Sequence, residues 1–163
     1  MKFEIRDACP TDAEILARYN SLMAEETEGK ALDPAVIGAG VQALLADVAK
    51  GRYWVAEAGA EVIGQIMVTH EWSDWRNGNI WWIQSVYVHP SWRRKGVFSA
   101  LYRHVESLAV AEPQVIGLRL YVEQNNNHAQ QTYEALGMVR PRHLVMEAMR
   151  HEQLVGIAGD PAC

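Results

Sequence analysis

The spacing of apolar residues along the first fifty positions predicts one short strand and two amphipathic helices. Phe3 and Ile5 alternate with charged neighbours, as in a half-buried strand. Thr11 or Asp12 can cap a following helix, in which apolar residues recur at helical spacing: Ile15, Leu16, Tyr19, Leu22 and Met23. A second helix begins after Asp33-Pro34, and one side of it carries Val36, Ile37, Val41, Leu44, Leu45 and Val48.

The middle of the chain changes to the patterns of β-strands. Residues 53–58 and 61–70 flank Gly59-Ala60 and predict a hairpin. Asn77-Gly78 is a favoured pair for a second tight turn. Residues 80–88 are almost all apolar or aromatic, which is typical of a central strand buried on both faces.

The second half of the chain alternates between helical and strand patterns. A helix is predicted after Gly96, and residues 117–123 alternate as in a strand. The apolar stripe of that helix consists of Val97, Leu101, Val105 and Leu108. Asn125–Asn127 can cap a further helix that ends at Gly137, and residues 143–150 predict a last strand.

Length and composition limit the class of protein. The chain has 163 residues, 49% of them hydrophobic, so we predict a single domain over residues 1–150 and a loose tail over residues 151–163. With 15 basic against 20 acidic side chains, it lacks the basic excess of a nucleic-acid-binding protein. Cys9 and Cys163 form no disulfide framework and no zinc or redox motif. No segment reads as a membrane span or a secretory leader, so the expected location is cytoplasmic.

Three cations stand directly before the helix that follows Gly96. Cations are disfavoured at a helix N-terminus, where the helix dipole is already positive. Arg93, Arg94 and Lys95 therefore suit a bound anion, and the alternative is a solvated charged loop. A strand, a turn and a helix N-terminus together present unpaired amides to an anion, and Gly96 permits close approach. Neither the Walker P-loop pattern nor G-x-G-x-x-G is met.

Two motifs in the chain resemble those of the GNAT superfamily of N-acetyltransferases. The family's acyl-CoA turn is a strand ending in V-x-P, then R/Q-x-x-G-x-G/A at the start of a helix. Here Val88-His89-Pro90 is followed by residues 93–98, and Phe98 departs from the family's small residue. The family's later signature, L-x-V-x-x-x-N-x-x-A-x-x-x-Y-x-x-x-G-F/M, reads here as Leu120, Val122, Asn126, Ala129, Tyr133, Gly137 and Met138.

The resemblance implies an α/β (α+β) GNAT fold: a central mixed, mostly antiparallel sheet with splayed parallel central strands, flanked by about four helices. In this family acetyl-CoA (coenzyme A) enters the gap between those two strands. Carried over, the backbone of Val86, Tyr87 and Val88 pairs with the pantetheine. The pyrophosphate is held by Arg93, Arg94, Lys95, Gly96, Val97, Phe98 and Ser99. Asn126 lies near the cofactor and Tyr133 near the thioester sulfur.

Acetyl transfer requires a neutral amine and a proton for the departing thiolate. An alkyl amine with a pKa of about 10.4 is almost fully charged at pH 7, so a base, a water chain or a desolvated pocket must help to remove its proton. The family often places a glutamate on the central strand, but here that stretch is Trp82-Ile83-Gln84-Ser85. Glu123 is the nearest candidate base, with His89 and Glu71 as weaker ones, and water alone is an alternative. Tyr133 is the candidate acid, with a packed helical tyrosine as the alternative.

Carboxylates and indole rings mark the candidate acceptor site. Such groups suit a cationic amine through charge pairing and cation–π contact. The pattern places residues 25–28 in a loop between the first two helices, a region that shapes the acceptor site in this family. The candidate acceptor-binding residues are Glu25, Glu26, Trp72, Asp74, Trp75 and Gln84. The alternative is a solvated helix end and a hairpin tip whose tryptophans cover the core.

The sequence therefore predicts an acetyl-CoA-dependent N-acetyltransferase that acts on the amine of a small, cationic molecule, without a metal, a nucleic acid or a membrane. Two alternatives stay open: a protein or peptide N-acetyltransferase, and a non-catalytic acyl-CoA-binding module. Exposed edge strands would permit a homodimer, although nothing in the sequence specifies one.

Overall fold

Five strands form one mixed sheet in the computed structural model, which describes residues 2–149. The strands are β1 (Glu4–Asp7), β2 (Arg52–Ala58), β3 (Glu61–Ser73), β4 (Gly78–Val88) and β5 (Val115–Leu120), and they lie side by side in that order. All neighbouring pairs are antiparallel except β4 and β5, which are parallel. The predicted mixed, mostly antiparallel sheet is confirmed.

Residues 2–149 contain four α-helices, as predicted. They are α1 (Ala13–Glu28), α2 (Pro34–Ala46), α3 (Val97–Ala111) and α4 (Asn127–Ala135). The chain divides into two units, Met1–Leu120, which contains the sheet and α1 to α3, and Tyr121–Cys163, which contains α4. The single domain over residues 1–150 stays a prediction, and the predicted tail over residues 151–163 lies outside the described residues.

Several predicted boundaries and one predicted strand are wrong. Helix α1 continues through Glu28 and ends at Gly29, which adopts the left-handed conformation with φ +63°. Strand β5 ends at Leu120 rather than at residue 123. Residues 143–149 form no strand. The first error arises because glutamates are good helix formers, so an exposed helical turn can persist after the apolar periodicity has stopped.

Helices α1 and α3 cover opposite faces of the sheet. On β2, Tyr53 and Val55 pack in the same buried cluster as Leu16 of α1. Their neighbour Trp54 points the other way, and its ring lies 6.0 Å from that of His104 on α3. The buried residues of α3 are Val97, Leu101, Tyr102, Val105 and Ala109. The sheet is therefore enclosed between two helical layers within this unit.

A cluster of buried polar side chains joins α1 to the sheet. Asn20 of α1 donates to Tyr53 Oη (2.9 Å) and accepts from Gln65 Nε2 (3.0 Å) and Ser85 Oγ (2.5 Å). All four residues are buried. Because a buried polar group without a partner costs about 1–3 kcal/mol, this cluster fixes where α1 sits on β2, β3 and β4.

A second cluster fixes the start of α1. Arg6 of β1 donates to both carboxylate oxygens of Asp12, at 2.8 and 3.0 Å, and to Glu57 of β2. The Asp12 carboxylate also accepts from the backbone N–H of Cys9 at 2.8 Å. Asp12 precedes α1 as predicted, although its side chain makes no capping bond to that helix. Its role is to tie the helix start to the first two strands.

The contact between Arg6 and Asp12 makes part of the stability sensitive to acid. The Arg6 guanidinium, aided by Cys9 N–H and opposed by burial, lowers the pKa of Asp12 from 3.8 to about 2. As the pH falls, the Asp12 carboxylate is protonated at a higher pH in the unfolded chain than in the folded protein. The stabilisation is therefore complete above about pH 5 and disappears towards pH 2. Asp12→Asn should lower the free energy of unfolding at pH 7 by roughly 2 kcal/mol and flatten its fall between pH 5 and pH 2. Urea denaturation across this range measures both effects.

The matched control is Glu14→Gln, which removes one carboxylate charge from an exposed position in the first turn of α1, two residues after Asp12. Its unfolding free energy should fall with pH as steeply as that of the wild type. If Asp12→Asn lost stability in parallel with the wild type down to pH 2, the Arg6–Asp12 pair would not be the source of the acid sensitivity.

Candidate active site

The central strand β4 is bent where its parallel neighbour ends. The pairs between β4 and β5 end at Ile83 and Leu120, whereas β4 continues to Val88. On its other edge, β4 carries Gln84 as an extra residue in the register with β3. Such a β-bulge kinks a strand and redirects its side chains. The segment from Gln84 to Val88 thus extends beyond the paired part of β5, as the splayed strands of the predicted fold require.

The turn between β4 and α3 leaves the first amides of the helix open. Gly96 is the N-cap residue, and its φ of +80° lies in the left-handed region that favours glycine. No side chain among residues 2–149 caps α3. A Cβ added at Gly96 would meet no atom within 4 Å, so the space beside this cap is open. The amides of residues 97–99 and the positive end of the helix dipole are therefore available to an anion.

The three cations of this turn have different partners. Arg93 donates from Nε to the carbonyl oxygen of Val88 (2.9 Å) and from a terminal nitrogen to Glu26 (2.6 Å). Lys95 Nζ donates to a backbone carbonyl within the turn at 2.7 Å. Arg94 is exposed, and its side chain makes no hydrogen bond or ion pair in the part of the chain that the structure describes. Arg94 is thus the uncommitted cation of the turn.

The ring of Phe98, which replaces the family's small residue, lies along the helix. Its centroid is 6.3 Å from that of Tyr102, one turn further on α3. Phe98 and Ser99 are both half-buried. Since an amide donates whatever side chain it carries, the first turn of α3 keeps its donors despite this departure from the motif.

The acceptor candidates on β3 and β4 do not come together. Trp72, Asp74 and Trp75 lie at the hairpin tip, where Trp75 is 91% exposed. Gln84 donates to Thr69 Oγ1 at 3.0 Å, and along β4 it is roughly 20 Å from the hairpin end of the strand. The exposure of Trp75 also disagrees with the alternative prediction, in which the tryptophans of the hairpin tip cover the core.

Glu25 and Glu26 lie in the last turns of α1, not in the predicted loop. Glu25 is exposed, whereas both oxygens of Glu26 have partners, the Tyr87 hydroxyl (3.0 Å) and Arg93 (2.6 Å). Burial, supported by the hydrogen bond to Glu26, raises the pKa of Tyr87. The sequence offered no signal for these contacts, because they join positions more than sixty residues apart.

The weaker candidate bases are also engaged. Glu71 accepts hydrogen bonds from Arg119 (3.0 Å) and from the indole N–H of Trp82. His89 Nδ1 lies 2.7 Å from Ser91 Oγ. Glu71 thus already forms an ion pair with Arg119.

The unit that begins at Tyr121 carries the remaining candidates. Asn126 caps α4, and its side-chain oxygen accepts from Ala129 N–H at 3.0 Å. Tyr133 is half-buried and, by its spacing, shares the helix face of Asn126 and Ala129. Glu123 is exposed and lies beyond the end of β5. The assignments of Asn126, Tyr133 and Glu123 to cofactor and catalysis stay predictions.

Gln130 is a residue that the sequence analysis missed. It is only 8% exposed, and its Nε2 donates to the carbonyl oxygens of Glu123 and Gln124, both at 2.8 Å. These bonds hold the segment before α4 against the helix. These hydrogen bonds could not be predicted from the sequence, because Gln130 is one polar residue in a mostly polar helix.

A cleft of about 600 Å³ lies beside the end of β4. Its lining comes from α1, from the turn between β2 and β3, and from Tyr87, His89 and Pro90. Tyr19 forms part of the wall and donates to the carbonyl oxygen of Val62 at 2.6 Å, and burial raises its pKa to about 12. Tyr19 therefore stays neutral at physiological pH.

The described residues contain no group of three or more His, Cys, Asp or Glu side chains that could hold a metal ion. Among helices within residues 2–149, none has both the length and the apolar character needed to cross a membrane.

Comparison with known proteins agrees with this arrangement. The model of the acetyltransferase (GNAT) family matches residues 16–138, a range that includes β4, the turn with Gly96 and α4. The chain belongs to the GNAT acetyltransferase family. Members of this family typically use acetyl-CoA as the acyl donor, so the chain is an N-acetyltransferase. No curated protein matches it significantly.

Solved structures show the same fold. A possible acetyltransferase from Clostridium difficile 630 is 45% identical, with a TM-score of 0.87, over 92% of this chain and 99% of that one. A ribosomal-protein-alanine N-acetyltransferase from Brucella melitensis biovar Abortus 2308 is 16% identical, with a TM-score of 0.72, over 91% and 100%. An aminoglycoside acetyltransferase from an uncultured soil sample, in complex with sisomicin, is 13% identical, with a TM-score of 0.71, over 91% and 95%. The last two show the fold alone.

Proposed function

We propose that this GNAT acetyltransferase transfers the acetyl group of acetyl-CoA to the amine of a small, cationic molecule. The observation that carries the donor assignment is the opening between the end of β4 and α3. There, uncapped helix amides and an uncommitted Arg94 stand next to a strand segment that extends beyond its parallel partner. This combination suits a ligand with an anionic diphosphate at one end and an extended amide chain at the other.

The residues at this opening fit acetyl-CoA. The amides of residues 97–99 and Arg94 would hold the pyrophosphate, and Gly96 keeps the space beside the cap clear. The backbone from Val86 to Val88 would pair with the pantetheine amides, although one acceptor position of Val88 O is already filled by Arg93. When bound, acetyl-CoA supplies an activated acyl group on a thioester.

The chemistry needs three proton movements. The ammonium group first loses one proton to become a neutral amine. Its nitrogen then forms a bond to the thioester carbonyl carbon and loses a second proton, while the C–S bond breaks and the thiolate gains one. Tyr133 is the proposed donor to the thiolate, because a phenol with an ordinary pKa near 10 still carries its proton at pH 7 and can donate it as negative charge develops on the sulfur. Glu123, exposed beyond β5, or water would take the proton from the amine.

The acceptor class rests on charge and aromatic surface. Asp74 lies between the exposed Trp72 and Trp75, and Glu25 is exposed in α1. Carboxylates and indole faces attract ammonium groups. The aminoglycoside acetyltransferase of similar fold, which was crystallised with sisomicin, is a fold-level analogy for a small cationic acceptor.

The first expected outcome concerns the thiol product. Purified protein should release CoA from acetyl-CoA when small cationic amines such as polyamines, amino acids or aminoglycosides are added. Tyr133→Phe should lower kcat by about 10²-fold or more, because general acid catalysis typically contributes 10²–10⁴-fold. A thiol-reactive dye measures the release continuously.

The control for this experiment is Tyr102→Phe, which removes a phenol hydroxyl from a buried position on α3. It should keep kcat within about threefold of the wild type, since the substitution keeps the aromatic ring that lies against Phe98 and removes only the hydroxyl. Release with peptide N-termini but not with small amines would contradict the proposed acceptor class. An unchanged kcat for Tyr133→Phe would contradict the acid role.

The second expected outcome concerns the turn. Gly96→Ala forces a side chain into the left-handed region, at a cost of about 1–2 kcal/mol, and points its Cβ into the open space before α3. The Kd for CoA, measured by calorimetry, should rise at least tenfold, because the methyl group occupies the space assigned to the pyrophosphate. Thermal unfolding reports the backbone cost separately.

The control variant is Gly38→Ala in α2, where an added Cβ also meets nothing within 4 Å. It should leave the Kd for CoA unchanged and stabilise the protein by about 0.5–1 kcal/mol, as alanine does within a helix. Equal CoA affinity of Gly96→Ala and the wild type would overturn the assignment of the pyrophosphate to this turn.

A further inference from the structure

Glu26, which the sequence suggested as an acceptor ligand, lies at the centre of a set of contacts around the end of β4. Its Oε1 accepts from Tyr87 Oη at 3.0 Å, and its Oε2 accepts from Arg93 at 2.6 Å. It sits in the last turns of α1. This helix is distant from β4 in the sequence, and the two meet only in the folded protein. Both carboxylate oxygens are thus engaged by residues at the end of β4 and in the turn that follows it.

Arg93 connects Glu26 to the turn itself. Its Nε donates to the carbonyl oxygen of Val88, the last residue of β4, at 2.9 Å. Its guanidinium carbon lies 5.4 Å from the ring centroid of Tyr87. A planar guanidinium with these three contacts has a defined orientation, because its donors are fixed in one plane. Arg93 therefore closes the turn onto the strand instead of extending into the space before α3.

We propose that Glu26 is a positioning residue for the donor site: through Arg93 it holds the turn between β4 and α3 in the shape that binds CoA. Rotation of Arg93 towards a ligand would break its contacts with Glu26 and Val88. The assignment rests on the proposed function, since it concerns how the same turn holds the pyrophosphate. It replaces two expectations from the sequence, that Glu26 binds the acceptor and that Arg93 binds the pyrophosphate.

The size of the effect follows from exposure. The side chains of Arg93 and Glu26 are 43% and 40% exposed, so their ion pair adds little to global stability. The consequence of losing it is local: the turn gains alternative conformations, and the ligand must then select the competent one. The apparent affinity for CoA is then the intrinsic affinity multiplied by the fraction of molecules that keep the competent conformation. The rate of the chemical step on bound substrate does not depend on that fraction.

The test is Glu26→Gln in the full-length protein, with calorimetric titration of CoA and steady-state kinetics. The Kd for CoA and the KM for acetyl-CoA should rise about fivefold, while kcat and the KM for the amine stay within about twofold. Thermal unfolding should be nearly unchanged. A purely structural loss would instead lower thermal stability, and an acceptor ligand would change the KM for the amine alone.

Glu28→Gln is the matched control, because it also removes one carboxylate of the last turn of α1 together with one surface ion pair, to Lys30 at 2.8 Å. Its Kd for CoA should equal that of the wild type. Arg93→Met completes the comparison. If Glu26 acts through Arg93, the double variant should bind CoA no more weakly than Arg93→Met alone.

The outcomes separate the inference from the function on which it rests. Absence of CoA binding to the wild type would contradict the proposed function. Binding to the wild type with equal or tighter binding to Glu26→Gln would leave that function intact and overturn the inference, since Arg93 would then be released to the pyrophosphate. A rise confined to the KM for the amine would return Glu26 to the acceptor site.

Discussion

The close approach of α3 to the sheet at Gly64 determines where the first turn of α3 lies. A Cβ at this position would lie 3.1 Å from the carbonyl oxygen of Tyr87, 3.2 Å from Val97 Cγ1 and 3.4 Å from Leu101 Cδ1. Val97 and Leu101 are almost completely buried, so neither can move aside without disturbing the core. The missing side chain lets α3 begin directly against the end of β4, which places the uncapped amides beside the bent part of that strand.

The other face of β4 is fixed by polar contacts as well as by packing. Ser85 belongs to the buried hydrogen-bonded cluster around Asn20 of α1. The ring of Tyr87 packs against that of Tyr19 on the same helix, and its hydroxyl donates to Glu26 near the end of that helix. Because hydrogen bonds define both distance and direction, they add to the constraint that packing imposes. The bulge at Gln84 thus lies between α3, which packs on one face of the sheet, and α1, which is packed and hydrogen-bonded on the other.

Sequence patterns were sufficient for the order of the elements and for the position of the turn. The apolar run of residues 80–88 predicted β4, and the glycine after three cations predicted the start of α3. The bulge at Gln84 could not be predicted, because it arises from the register with β3 and leaves the composition of the strand unchanged. The same applies to Glu26: its charge was visible in the sequence, but its partners depend on how α1 lies against β4.

The cations before α3 show how tertiary structure changes the meaning of a charge run. The charge of Arg93 is balanced by Glu26, and Lys95 lies 5.4 Å from the ring centroid of Trp92 while donating to a backbone carbonyl. The repulsion between a cation and the helix dipole, about 0.3–1 kcal/mol, therefore falls mainly on Arg94. Within residues 2–149, Arg94 is the one cation of the turn whose side chain makes no hydrogen bond or ion pair. If a diphosphate binds here as proposed, it meets preformed amides and this single cation, and such a site would recognise the geometry of the diphosphate more than its total charge.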